Sequence, residues 1–148
     1  MNEEFQSPLL ERAVTELSRL PGVGRRTALR LALHLLRREP QEAEALSTAI
    51  LELRRDIKYC GVCHNISDTD TCAICSDPRR DAATVCVVET VKDVMSIERT
   101  AAFKGLYHVL GGLISPVDAI TPDMLTIDSL IERVSTRPIS EVILALSS

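Results

Sequence analysis

Cys60-Gly-Val-Cys63-His-Asn-Ile-Ser-Asp-Thr-Asp-Thr-Cys72-Ala-Ile-Cys75 carries two Cys-x-x-Cys pairs separated by eight residues. Each pair turns tightly enough to aim both sulfurs at one point, and four thiolates complete the tetrahedral shell that Zn²⁺ accepts in a structural site. The spacer is shorter than the commonest double-knuckle pattern, yet long enough for the second pair to fold back onto the first. Two disulfides are a competing reading. They are disfavoured because nothing at the amino terminus resembles a secretory signal and a reducing compartment keeps thiols free. A redox Cys-x-x-Cys is a third reading, and it leaves one pair idle. The spacing therefore predicts one structural zinc ion on Cys60, Cys63, Cys72 and Cys75, with no open coordination position for a reactive water. His64, beside Cys63, is expected to point to solvent.

The 148 residues suit one medium domain or two small ones sharing a core. With 45% hydrophobic residues the chain reads as globular, and no apolar run approaches a membrane span, so a soluble, cytoplasmic protein is expected. Aromatic residues make up only 3%, which argues against binding by base stacking. The net charge of −4 hides an asymmetry: residues 1–58 hold ten Lys/Arg against nine Asp/Glu, and residues 81–148 hold five against nine. Between Arg19 and Arg38 lie six arginines and no acid. Local cations, and not the total charge, govern counterion release, so this segment predicts a nucleic-acid partner.

Ser7-Pro8 predicts a helix start, a capping hydroxyl followed by proline. Leu10, Ala13, Val14 and Leu17 then recur on one face. Leu20-Pro-Gly-Val-Gly24 ends that helix and opens a second, predicted over about Arg25 to Arg38 and closed by Pro40. Gly22 and Gly24 permit backbone angles closed to other residues and let another backbone come close, while the following helix start favours a phosphate. The pattern is that of a helix-hairpin-helix grip on nucleic-acid backbones or of an ordinary helix connection. The second helix favours the former. At about 100° per residue, Arg26, Arg30 and Arg37 fall within roughly 40° of one another, opposite Leu29, Leu31, Ala32, Leu35 and Leu36. A merely solvated face usually mixes signs. Arg25 points elsewhere but can reach the hairpin. A third helix, about Gln41 to Ile57, is expected to bury Leu46, Ala49, Ile50, Leu53 and Ile57.

Beyond Asp77-Pro78 the pattern changes. Ala83-Thr-Val-Cys-Val-Val88 reads as a strand buried on both faces, with Cys86 a core residue. Thr90-x-x-Asp93 predicts a capping box for a helix over about Val91 to Thr100. A second strand is expected over Gly105 to Leu110. Thr121-Pro122 then starts a helix with Met124, Ile127, Leu130, Ile131 and Val134 on one face, and a last strand runs from Glu141 to Leu146. Short connections of this kind imply a parallel sheet with right-handed crossovers. Glu89 would lie at the carboxyl rim, where ligands of such sheets gather. A hydrolytic site needs further carboxylates there to hold Mg²⁺, and Asp93 is expected to cap its helix, so a non-enzymatic role is predicted. The fold class is α+β in several parts: a helical region (1–57), a four-cysteine finger (58–79) and a parallel-sheet α/β domain (80–148).

Taken together, Leu20-Pro-Gly-Val-Gly-Arg-Arg-Thr-Ala28, the four cysteines, Val85-Cys-Val-Val-Glu89 and Tyr107-His-Val-Leu-Gly-Gly-Leu-Ile-Ser-Pro116 resemble the RecR family of bacterial recombination mediators along the whole chain. The resemblance implies a helix-hairpin-helix DNA-binding domain, a zinc finger and a Toprim domain. It implies action with RecO and RecF in DNA repair, helping RecA load at single-strand gaps, and a ring-like tetramer that encircles DNA. It carries DNA contact onto Arg26 and Arg30, with Arg25 a looser match, and partner contact onto Glu89. The alternative function is a Mg²⁺-dependent Toprim enzyme acting through Glu89. Family members run about 50 residues further, enough to complete a doubly wound domain. The Toprim part is therefore expected to be incomplete, its last strand open at the edge.

Overall fold

The computed structural model describes residues 5–147; Ser148, expected just past the final strand, lies outside them. The chain divides into two compact units, with the break between Arg55 and Asp56.

The first unit is helical. Helix α1 (Pro8–Ser18) starts where Ser7 and Pro8 place it, the Ser7 hydroxyl accepting the Leu10 N–H. Helix α2 (Arg25–Leu36) packs on α1 through the small side chains of Ala28 and Ala32, which surround the fully buried Val14. Leu10, Leu17, Val23 and Leu29 close this core. Ala13, Leu31 and Leu36, assigned to the apolar faces by periodicity, are exposed, Leu36 to 74%. Pro40 does not merely stop α2; it begins helix α3 (Pro40–Asp56), where a missing N–H costs nothing. The expected burial of the α3 stripe is corrected: no α3 residue is buried, and Leu46, Ile50 and Leu53 are 46%, 59% and 62% exposed. The stripe has the right period but stays exposed.

The second unit joins the finger to a three-stranded sheet. Short strands β1 (Lys58–Tyr59) and β2 (Ile66–Ser67) pair antiparallel across the first Cys-x-x-Cys turn. Strand β3 (Asp81–Val88) lies in the middle of the order β4-β3-β5, parallel to both β4 (Gly105–Val109) and β5 (Glu141–Ala145). Successive strand residues face opposite sides. Cys86 and Val88 accordingly pack with Val94, Tyr107 and Val109, while Val85 and Val87 pack with Leu110, Ile127 and Leu130. Each fully buried valine contributes about 1.5–3 kcal/mol of transfer free energy, so the uninterrupted run Val85–Val88 makes β3 the spine of the unit. Gly105 lets β4 approach closely, because a Cβ there would come within 2.6 Å of the Thr84 carbonyl oxygen.

Helix α4 (Val91–Arg99) begins with the predicted capping box: Thr90 and Asp93 each accept the other's backbone N–H. Its far end is fixed by Arg80, which grips both oxygens of Glu98 while the Tyr107 hydroxyl donates to the same carboxylate at 2.6 Å. The second crossover departs from expectation. Pro122–Met124 forms only a 3-10 turn, and the helix proper, α5, runs Ile127–Thr136. Thr126 restarts it by donating its N–H to the Leu110 carbonyl and its hydroxyl to the Val109 carbonyl. Met124, Ile131 and Val134 are exposed, contrary to the sequence reading, and Arg133 is buried in their stead. The inward face is turned toward the finger. Strand β5 forms one edge of the sheet, its apolar residues Val142, Ile143 and Leu144 all partly in solvent.

Candidate nucleic-acid interface and metal centre

Three of the six arginines between residues 19 and 38 are paired with acids. Arg19 meets Glu16 at 3.2 Å, Arg25 meets Glu11 at 2.6 Å, and Arg38 meets Glu42 at 2.6 Å. Arg25 also lies over the Phe5 ring, 5.8 Å from its centroid, so it is held against α1 and away from the stripe. Among the described residues, Arg26, Arg30 and Arg37 have no carboxylate partner. These are the three that helical spacing groups together, and they line one groove of about 300 Å³ with Leu29, Leu33 and His34. A groove lined by three arginines and no acid is suited to an anionic chain.

The hairpin leads into this groove. Gly22 has φ +79°, a left-handed angle that side chains disfavour, and the turn closes with Val23 N–H donating to the Leu20 carbonyl. Gly24 caps α2 in extended conformation with no side-chain acceptor over the first turn. A Cβ at either glycine would meet nothing within 4 Å, so a second backbone has room to approach. The free N–H groups at the start of α2 add a positive potential beside Arg26.

In the finger, the sulfurs of Cys60, Cys63, Cys72 and Cys75 lie within 4.8 Å of one another, with Cys63 and Cys72 3.6 Å apart. Tetrahedral zinc with Zn–S bonds near 2.3 Å sets its sulfurs about 3.8 Å apart. The four cysteines fit. Backbone N–H groups of Val62 and Cys72 point at the Cys60 sulfur, and that of Cys75 at the Cys72 sulfur. Such bonds orient thiolates for a metal. Hydrogen bonding from Cys75 holds the Cys63 thiol down at about 5. Its bond to Cys63 pushes the Cys75 thiol up, and burial pushes Cys72 up. A thiolate at Cys63 therefore opposes ionisation of Cys75, and a dication held by the sulfurs would relieve that opposition. Cys86 stands apart in the sheet core, as expected, and burial raises its thiol.

His64 is not in solvent, contrary to expectation. Its ring nitrogen lies 2.7 Å from the Ser129 hydroxyl on α5, and the ring meets His108 edge-on at 5.2 Å between centroids. A φ of +64° at His64 turns the chain out of the first knuckle toward the sheet. The Cys63 carbonyl accepts the Val109 N–H, and Ile74 packs against both the finger and the α4 side of the core. Sequence reasoning missed His64, His108 and Arg133 as a group. The available signal was a histidine within a strand and an arginine at helical spacing from Leu130, each needing a buried partner.

At the carboxyl rim of the sheet, the Glu89 carboxylate accepts the backbone N–H of Ser147. Strand ends β3 and β5 thus meet as the parallel topology requires. Asp93 is committed to the capping box and does not join Glu89.

Three family models match the chain: a RecR helix-hairpin-helix over residues 10–54, a RecR four-cysteine zinc finger domain over 57–77, and a Toprim domain over 83–148. The chain is 59% identical over all 148 residues to the Recombination protein RecR of Bacteroides thetaiotaomicron, covering 72% of that protein. It is 55% identical over the same span to that of Porphyromonas gingivalis, again covering 72%. Similarity to that of Flavobacterium johnsoniae is 54% over 145 residues, 98% of this chain and 70% of the relative. The zinc-finger match and the clustered sulfurs agree on one structural zinc ion per chain.

Proposed function

The chain belongs to the RecR family of recombination proteins, and on that premise we propose that it is a non-enzymatic mediator of DNA repair that holds DNA by its sugar–phosphate backbone. The observation that carries this reading is the groove of Arg26, Arg30 and Arg37, left without carboxylates while neighbouring arginines are paired. Gly22 and Gly24 give the backbone access, and Arg25 plays at most an indirect part from its bond to Glu11. Contact with the sugar–phosphate backbone carries no sequence information, so binding is independent of sequence. By family analogy the protein acts with RecO and RecF in the bacterial cytoplasm, at the nucleoid, to help RecA load at single-strand gaps. Glu89, at the sheet rim, belongs to the partner-contact surface. The exposed α3 stripe and the β5 edge favour self-association, for which the family's tetrameric ring is the reference.

The Toprim match keeps a second reading in view, a Mg²⁺-dependent enzyme acting through Glu89. Glu89 is bound to the Ser147 amide, and the nearest sequence acid is committed to a cap, which favours the mediator. The test is RecA filament formation on gapped DNA coated with single-strand-binding protein, with RecO and RecF present. Arg26→Ala/Arg30→Ala is expected to lose most of the stimulation, and undiminished stimulation would count against the reading. Plasmid incubated with protein and Mg²⁺ should stay intact; nicking abolished by Glu89→Gln would establish the enzyme instead.

A further inference from the structure

Arg133 on α5 is only 5% exposed, and its guanidinium has no ion-pair partner among the described residues. One terminal nitrogen donates to the Tyr107 carbonyl at 2.6 Å and approaches His108 Nδ1 at 3.2 Å; the Nε is buried with no acceptor. An isolated buried cation is costly, and a helix does not retain one without an opposing charge. The cleft that Arg133 lines is also lined by Gly61 and Val62, the residues between Cys60 and Cys63. Glu132 also borders the cleft but forms no ion pair with it. Burial draws the guanidinium toward neutrality, and the neighbouring cysteine cluster opposes this. Four thiolates around Zn²⁺ leave a net charge of −2, spread over sulfur.

We propose that Arg133 is the buried counter-charge of the zinc–thiolate cluster, fastening α5 and with it the Toprim sheet to the metal knuckle. His108 and His64 complete the link. His108 receives the Arg133 N–H on Nδ1, donates from Nε2 to the Thr126 carbonyl at 3.1 Å, and meets the ring of His64, the neighbour of Cys63. This assignment depends on the four-cysteine site and not on DNA binding. It explains why arginine occupies an inward position of α5 while Val134, next in sequence, is left 39% exposed.

Zinc transfer from the full chain to a chromophoric chelator tests it, read as a release rate. Arg133→Met keeps much of the packing volume and removes the charge; release is expected to accelerate about tenfold or more, the scale of outer-shell effects on metal affinity. Arg133→Lys keeps a charge and should fall between Arg133→Met and the natural protein. Leu130→Ala loosens α5 from its apolar side and serves as control, with release near the natural rate. Overturning results are Arg133→Met at the natural rate, or Arg133→Met and Leu130→Ala accelerated alike. If Arg133→Met does not fold, Arg133→Lys against Arg133→Gln decides, and equal rates in that pair overturn the assignment.

Discussion

Arg80, Glu98 and Tyr107 tie the carboxyl end of α4 to β4, and their protonation makes stability depend on pH. The Arg80 guanidinium, and then the Tyr107 hydroxyl, hold the Glu98 carboxyl below its ordinary range. A carboxylate depressed on folding contributes stability that is present above its unfolded pKa and lost as pH falls through the lower folded value. Glu98→Gln should therefore cost about 1–2 kcal/mol at pH 7, with the difference in thermal melting shrinking as pH falls below the ordinary carboxylate range. A gap that stays constant down to pH 3 would assign the loss to packing. Other residues differ in how plainly sequence announces them. Arg26, Arg30 and Arg37 were legible because helical spacing alone groups them. The pairing of Arg25 was not legible because Glu11 lies on another helix. His64 and Arg133 were invisible for the same reason: their partners are distant in sequence, and no local period encodes a long-range contact.

Elements whose causes are local were read well. The Ser7 cap, the Thr90–Asp93 capping box and the buried β3 run each follow from a few adjacent residues. The α5 start was misread because Thr121-Pro122 is a sound helix signal, yet it launches only a 3-10 turn; the helix begins where Thr126 bonds β4. The hairpin separates backbone need from ligand access. Gly22→Ala is expected to destabilise the helical unit by about 1 kcal/mol, since its φ of +79° is strained for alanine. Gly24→Ala, with open space and an ordinary φ, should leave melting nearly unchanged while weakening DNA binding. Equal effects of the two on melting would contradict this division. Removing zinc should release the finger, because eight spacer residues build no core without it. Trypsin should then cut at Lys58 and Arg79 after chelation; an unchanged digest would show a finger that folds without metal.

Across the whole molecule, charge is unevenly placed: the acids in excess lie in residues 81–148, and Arg26, Arg30 and Arg37, without carboxylate partners among the described residues, line one groove of the first unit. Sequence showed this asymmetry but not which arginines were committed elsewhere; that required seeing Glu11, Glu16 and Glu42 in place. It likewise placed an apolar stripe on α3 without showing that the stripe stays open, because burial depends on what packs opposite. The central claim is that three convergent guanidinium groups grip a phosphate backbone. Each phosphate contact to single-stranded DNA contributes about 0.7 to the slope of log affinity against log salt. The direct measurement is that slope for the natural protein and for Arg26→Ala/Arg30→Ala/Arg37→Ala on a single-stranded oligonucleotide. A slope shallower by about 2 in the variant, whatever the oligonucleotide sequence, is the predicted result. Equal slopes with equal affinities would contradict the account.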